Sequence, residues 1–444
     1  MKYLKRILII LIIFMIIIIG GIICIISVEK NNSELNEENA GDAGESLQVN
    51  KSVLENVTDK DRFFTVRNCV QQFLDKINDN NSNYFSTDEE GNQIKILEDN
   101  QIKQSRYNML SSKFIEKNNI TVANINNNLK TMNSKVIFDA LDIKYLKGER
   151  LENYIVYGIV TSLSNEYMGE LYIIINLDRE NSTFSVEPIY SKCNSIDDIE
   201  ITYNDNAISK NSDNEYKNQS MTYENIAKEY FSIYKRIMLS KPEIIYNNYL
   251  LEEYKVKRFG DIEKFIEYKE NNKDEIVKLQ MNKYSINNNN DYTEIVCMDQ
   301  YQNIYVFEET EPMQFKLKLD TYTVISDKFK STYDSLSEQK KVAMNIDKWV
   351  QMLNNRDYIN AYAVLDETFK NSNWKSEKEF EKYIKKELPV HYGVKFTTYS
   401  NENSTYVQSI EISDITGSTK DVKTLDIIMQ LKDNYEFVMS FSIK

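Results

Sequence analysis

Displacing the chain against itself by 115 residues, with no gap, superimposes like side chains over three successive helical stretches. Phe231 falls on Ile346, Tyr234 on Trp349, Ile237 on Met352 and Ile244 on Ile359. Leu250 then meets Leu365, Glu252 meets Glu367, Tyr254 meets Phe369 and Lys255 meets Lys370. Further along, Phe259 meets Trp374, Phe265 meets Phe380 and Tyr268 meets Tyr383. Most matched positions are aromatic or aliphatic at helical spacing, the positions from which a core is built. A chain with this repeat folds as tandem units of single-domain size. The copies occupy 220–328 and 332–444. A divergent third occupies 59–195, where Leu110 and Phe114 stand for Leu250 and Tyr254, and 196–219 reads as a linker.

Each copy passes from a helical period to a period of two. Phe63, Val66, Val70, Phe73, Leu74 and Ile77 share one helix face, and Leu110 and Phe114 mark a second helical patch. From residue 135 the apolar positions alternate instead: Val136 and Phe138; Tyr154 and Val156; Leu171, Ile173 and Ile175; Phe184 and Val186. In the last copy Leu425, Ile427, Met429 and Leu431 alternate, as do Tyr435, Phe437, Met439, Phe441 and Ile443, about a turn at Asp433-Asn434. Helices followed by an antiparallel meander with one apolar face predict an α+β class, helices packed on one side of a curved sheet.

The start of the chain carries a different signal. Lys2, Lys5 and Arg6 precede an apolar run from Ile7 to Ile26 without Pro or charge. Twenty residues of helix reach about 30 Å, the hydrocarbon thickness of a bilayer. The expectation is a cytoplasmic tip and transmembrane helix over 1–27, a flexible acidic stalk over 28–58, and the bulk of the chain outside the cell membrane. A cleaved signal peptide would have a shorter apolar region ending in small residues, whereas Ile25 and Ile26 close this one. A lipoprotein site at Cys24 lacks the small residue expected where Ile23 stands.

Charge and composition exclude more than they assign. The formal charge is −14, so the chain lacks the cationic footprint that nucleic acid requires. Cys69, Cys193 and Cys297 are widely separated, have no metal-ligand spacing, and read as free thiols. There is no Gly-rich phosphate loop, HExxH, CxxC pair or GxSxG. The single histidine, His391, follows Pro389 and precedes Tyr392-Gly393, and reads as a turn residue near a helix end. The acidic groups Glu308, Glu309, Glu311 and Asp197, Asp198, Glu200 lack the glycine of a calcium loop, as do Asn211, Asp213 and Glu215, and read as solvated charge. No catalytic residue, metal ligand or cofactor is therefore expected. Tyr246, Tyr249, Trp349, Tyr362 and Trp374 either face a cavity or fill the core, and helical spacing favours filling.

A resemblance narrows the expectation. Trp349, Met352, Leu353, Asp357, Tyr358, Tyr362 and Leu365, then Lys375-Ser376-Glu377 opening a helix with Phe380 and Tyr383, then Tyr392-Gly393 entering a strand, resemble the NTF2-like (cystatin-like cone) superfamily. The envelope version near the N-terminus of some penicillin-binding proteins is the nearer likeness. The resemblance implies two or three tandem NTF2-like domains behind an anchor, with a non-enzymatic protein-binding or self-associating scaffold role in the cell envelope. The architecture also resembles scaffold subunits of conjugation or secretion complexes. Because this fold hosts enzymes as well, a small-molecule binder or enzyme using a cone pocket is the remaining alternative.

Overall fold

The computed structural model describes residues 55–444 apart from 79–83, 133, 149, 200, 202–206, 209–213 and 290. The first unit opens on a helix, Lys60–Ile77, whose Asp59 cap accepts from the Arg62 N–H at 3.1 Å. Its buried face is the one the spacing predicts, with Phe63, Val66, Val70, Phe73, Leu74 and Ile77 joined by Phe64 and Cys69. That face lies on an antiparallel sheet of β4 (Val136–Lys147), β5 (Leu151–Ser162), β6 (Tyr167–Asp178) and β7 (Thr183–Ile189), with a two-residue β1 (Glu55–Asn56) on the β4 edge, while β2 (Phe85–Thr87) and β3 (Gln93–Lys95) pair only with each other. β5 is buried along both faces because the chain after β7 returns over the far side. There Ile196 and Ile201 pack on Ile155, and Ala207 and Ile208 pack on Leu151. Gly158 allows β4 and β5 to close: a Cβ there would lie 2.3 Å from the Asp139 carbonyl oxygen and 2.6 Å from the Phe138 ring.

The second and third units keep the 115-residue displacement in three dimensions. Helix Tyr223–Ser240 corresponds to Glu338–Asn354, Glu252–Arg258 to Glu367–Asn373, and Ile262–Asn271 to Glu377–Glu387. The caps correspond too: Asp261 accepts from the Lys264 N–H at 2.9 Å, and Ser376 from the Glu379 N–H at 3.4 Å. The displacement ends there. The second unit adds a helix, Lys273–Lys278, whereas the third runs through Leu388-Pro389, where proline has no N–H to continue one. The sheets are β8 (Met281–Asn288), β9 (Thr293–Asp299), β10 (Ile304–Glu311) and β11 (Gln314–Lys318), then β12 (Tyr392–Glu402), β13 (Thr405–Asp414), β14 (Val422–Leu431) and β15 (Phe437–Ile443). In both, sequence neighbours pair antiparallel in order.

One connection recurs in all three units. Leu110, Leu250 and Leu365 each form an isolated parallel bridge with the last strand of their own sheet, at Val186, Leu317 and Met439. In each case the next N–H donates to that strand's carbonyl, Ser111 to Val186 at 3.0 Å, Leu251 to Leu317 at 3.2 Å and Asp366 to Met439 at 2.8 Å. Leu110 is thus a strand-like link between helices Asp99–Met109 and Ser112–Lys117 rather than part of a helix.

Two further differences from the sequence reading appear. Asn434 and Tyr435 both take positive φ in the β14–β15 turn, so Tyr435 belongs to the turn and β15 begins at Phe437. The Tyr435 hydroxyl donates to Asp334 at 3.1 Å, which helps hold that conformation. The expected fold class needs correcting in one respect, the transmembrane helix. Among the described residues no helix is long and apolar enough to cross a membrane. Each long helix carries charged side chains beside its apolar face, as Lys60, Arg62, Arg67 and Asp75 do in the first. The Ile7–Ile26 run and the stalk to residue 54 lie outside the described residues. The described chain is α+β with several antiparallel sheets.

Buried apolar side chains form one continuous cluster from Val57 to Leu319, spanning the first two units. A separate cluster begins at Tyr322 and gathers the third unit from Val342 to Phe441.

Candidate functional site

Aromatic side chains pack against one another inside the second and third helix-on-sheet units. In the third unit Trp349 lies 5.0 Å from Phe441, and Trp374 lies 5.2 Å from Phe380 and 5.4 Å from Phe369. In the second, Tyr249 stacks on Phe315 at 4.7 Å and Tyr246 tilts against Phe265 at 5.5 Å. Tyr362 meets Phe380 at 5.5 Å. Of the five aromatic residues weighed in the sequence, Trp349 and Trp374 are buried packing groups, Tyr246 and Tyr362 are part-buried against the same clusters, and Tyr249 both stacks on Phe315 and lines a cleft.

Open space lies between units. A cleft of about 730 Å³ separates the first unit from the second, with Asp142, Tyr157 and Tyr172 on one wall and Tyr249, Glu308 and Phe315 on the other. Burial pushes the Asp142 carboxyl above its ordinary value despite Lys144 beside it. Tyr157 is pushed up to about 12 by burial and by Glu170, and it stacks on Tyr172 at 4.5 Å.

A second cleft, of about 780 Å³, separates the second unit from the third. Its floor is a network of buried charge. Arg258 reaches across from the second unit to Asp357 at 2.9 Å, and its Nε lies 3.7 Å from Asp320. Asp320 in turn accepts from the Tyr254 hydroxyl at 2.8 Å and from two backbone N–H groups, of Tyr322 and Thr323. Burial opposes the Arg258 charge, and the surrounding Tyr322, Asp357, Tyr254 and Asp320 overcome that opposition. From the third unit, Arg356 donates to Asn272 at 2.7 Å and pairs with Glu275.

His391 belongs to the same joint. It is buried, lies 3.2 Å from Glu275 through Nε2, and stacks on Tyr301 with ring centroids 4.0 Å apart. Its neighbour Tyr392 lines the cleft with its backbone clamped by the Asn354 side chain, which accepts from the Tyr392 N–H at 3.2 Å and donates to its carbonyl at 3.0 Å. The Tyr392 hydroxyl is buried and has no hydrogen-bond partner, and burial drives its pKa well up. At the rim stand two exposed aliphatic side chains, Ile359 at 67% and Val390 at 62% exposure.

The other candidates separate. Cys69 and Cys297 are buried thiols pushed up by desolvation, Cys297 to about 12, and Cys193 is part-exposed. Glu309 is not solvated: it sits inside β10, accepts from the Tyr230 hydroxyl and pairs with Lys60 of the first unit. Asp197 and Asp198 lie in a short 3-10 turn capped by Ser195. Asn211, Asp213 and Glu200 lie outside the described residues. Among the described residues no three His, Cys, Asp or Glu side chains converge to hold a metal ion.

The chain matches no protein-family model, no curated protein and no solved structure.

Proposed function

We propose that this chain is a non-enzymatic scaffold of tandem NTF2-like units that binds partner proteins or further copies of itself. The observation that carries the reading is where the space lies. Aromatic side chains pack the interiors of the second and third units, and two clefts lie at the joints, one of them rimmed by exposed Ile359 and Val390. A pocket for a small molecule needs a few convergent polar groups, and the ring clusters of the second and third units bring apolar faces together instead. A joint, by contrast, presents surface from two units at once.

An envelope setting forms part of the reading and rests on the sequence of residues 1–54 alone. A ligand-binding alternative draws on Asp142, whose carboxyl is raised by burial beside the stacked Tyr157 and Tyr172. Chemical cross-linking of intact cells, followed by purification of the full chain, tests the scaffold reading. A partner protein or a multimer at reproducible stoichiometry is the expected recovery. Recovery of the bare monomer at every cross-linker concentration would overturn it.

A further inference from the structure

We propose that the cleft between the first and second units binds a neutral oligosaccharide, a role that goes beyond the scaffold reading and does not depend on it. The backbone leaves regular geometry at four points along its wall. β4 carries an extra residue between Ala140 and Asp142, and both Leu141 and Asp142 line the cleft. β10 carries another between Glu309 and Glu311, at Thr310, which also lines it. Met313, in the β10–β11 turn, takes a φ of 60°, and the π-helical turn Ile245–Tyr249 delivers Asn248 and Tyr249. Bulges, π turns and left-handed residues other than glycine are conformationally costly, and they concentrate where side chains are aimed at a ligand.

The internal repeat supplies a contrast. The 115-residue displacement places Ala363 and Val364 at the positions of Asn248 and Tyr249, and the third unit runs there as the ordinary helix Tyr358–Ala363 and its cap. The second unit has thus replaced a regular helix end by an irregular turn bearing an amide and an aromatic ring, at a place that faces the first unit. Lys316 donates to the Asn248 carbonyl at 2.9 Å and fixes that turn. Because the two units share one apolar core, the walls are set before a ligand arrives, and about 730 Å³ is within the usual range of ligand pockets.

The lining selects the class of ligand. Asn56, Asn194, Asn248 and Gln314 are exposed in the cleft, and their side-chain amides bond to no described residue. An amide both donates and accepts, as a sugar hydroxyl does. Half-buried Tyr157, supported by Tyr172 at 4.5 Å, adds an aromatic surface whose negative face suits the C–H groups of a sugar ring. The charged groups are largely engaged: Lys144 with Asp197, Glu308 with Lys318 at 2.5 Å, and Lys316 with the Asn248 carbonyl. An anion would meet Asp142 and Glu308 with both lysines occupied, and a cation gains little from Asp142, whose charge burial disfavours. An apolar ligand would strip water from the amides and return no hydrogen bond. The amides come from four separate elements, which suits the dispersed hydroxyls of a sugar better than a peptide backbone read along one strand edge.

Calorimetry and saturation-transfer NMR of the full chain with chitotetraose, cellotetraose, maltotetraose and mannotetraose test the assignment, beside tetragalacturonate and end-capped tetra-alanine. At least one neutral tetrasaccharide is expected to bind, with a Kd unchanged between about 0.05 and 0.5 M NaCl because no new charge pair forms. Asn248→Ala and Gln314→Ala, both at exposed side chains, each weaken it about 2- to 10-fold. Tyr157→Ala weakens it at least about tenfold, and Tyr157→Phe, which keeps the ring, restores most of the loss. Ile359→Lys, in the other cleft, leaves it unchanged. Binding of no neutral tetrasaccharide, binding of tetragalacturonate alone, a preference for the peptide, or equal loss in Ile359→Lys would overturn the assignment. If no saccharide binds while cross-linking still recovers a partner, this site falls and the scaffold reading stands.

Discussion

The joint between the first and second units and the joint between the second and third are built from opposite materials. Across the first, the apolar core runs unbroken from Val57 to Leu319, and ion pairs are added to it, two of them on a buried carboxylate: Arg236 with Asp139 and Lys60 with Glu309, and the part-buried Arg67 with Glu229. Across the second, the large core stops with only Tyr322 reaching into the next one, and the contact is made by Arg258 with Asp357 and by Arg356 and His391 with Glu275. Apolar burial supplies net free energy of folding, whereas buried ion pairs spend much of their attraction on desolvation and mainly define geometry. The first two units should therefore unfold as one body and the third apart from them. The sequence supplies the probe, since both tryptophans, Trp349 and Trp374, are in the third unit. Trp fluorescence reads that unit alone and far-ultraviolet circular dichroism reads all three. Coincident transitions by the two signals would break the comparison.

The largest effect is expected at the apolar joint. Asp139 is fully buried and accepts from Arg236 Nε at 3.0 and 3.1 Å and from Nη2 at 2.6 Å. Asp139→Ala leaves Arg236 buried with Glu229 at 3.6 Å as its remaining partner, at a cost of about 3–5 kcal/mol. The dichroism midpoint should fall while the fluorescence midpoint stays in place. Arg258→Ala reverses the pattern. It strips the cation from Asp320 and Asp357, but Asp320 keeps its hydroxyl and N–H donors, so the cost is about 3 kcal/mol, the low end for a broken buried pair. Here fluorescence should move first, and a shift of the dichroism signal alone would show that the second joint is not the weak one.

The repeat and the charge network were not equally legible in the sequence. Leu250 and Leu365 fall in register because both face the same place in equivalent units, and the gapless 115-residue displacement exposes them although they link helices rather than belong to one. Asp139 and Glu309 left no such trace. Asp139 sits on a strand between Phe138 and Ala140, where alternation assigns a charge to solvent, and Arg236 from another unit makes it interior; Glu309 sits beside Glu308 and Glu311, and Tyr230 of its own unit together with Lys60 of the first makes it interior. His391 is a similar case. Its turn position was visible, but its stack on Tyr301 and its contact with Glu275 depend on how the second unit meets the third. Tyr392 carries no pattern at all, since an unpartnered hydroxyl is a property of the surroundings.

The smallest effect gives the sharpest test of the polar joint, because it carries a sign in pH. Burial acts to raise the Glu275 carboxyl, but the hydrogen bond from His391 and the Arg356 cation outweigh it, and the group is held below its ordinary value of 4.5. A carboxylate lowered on folding stabilises the folded state above that ordinary value, and the contribution is lost as pH falls through the folded one. Glu275→Gln should lower stability of the third unit at pH 7 by about 0.5–1 kcal/mol, the scale of a partly exposed pair. Below pH 4.5 the difference between the two proteins should shrink, and it should vanish once Glu275 is protonated in the wild type. Read by tryptophan fluorescence, a difference that stays constant from pH 7 to pH 3 would mean that Glu275 holds the joint by shape rather than by charge.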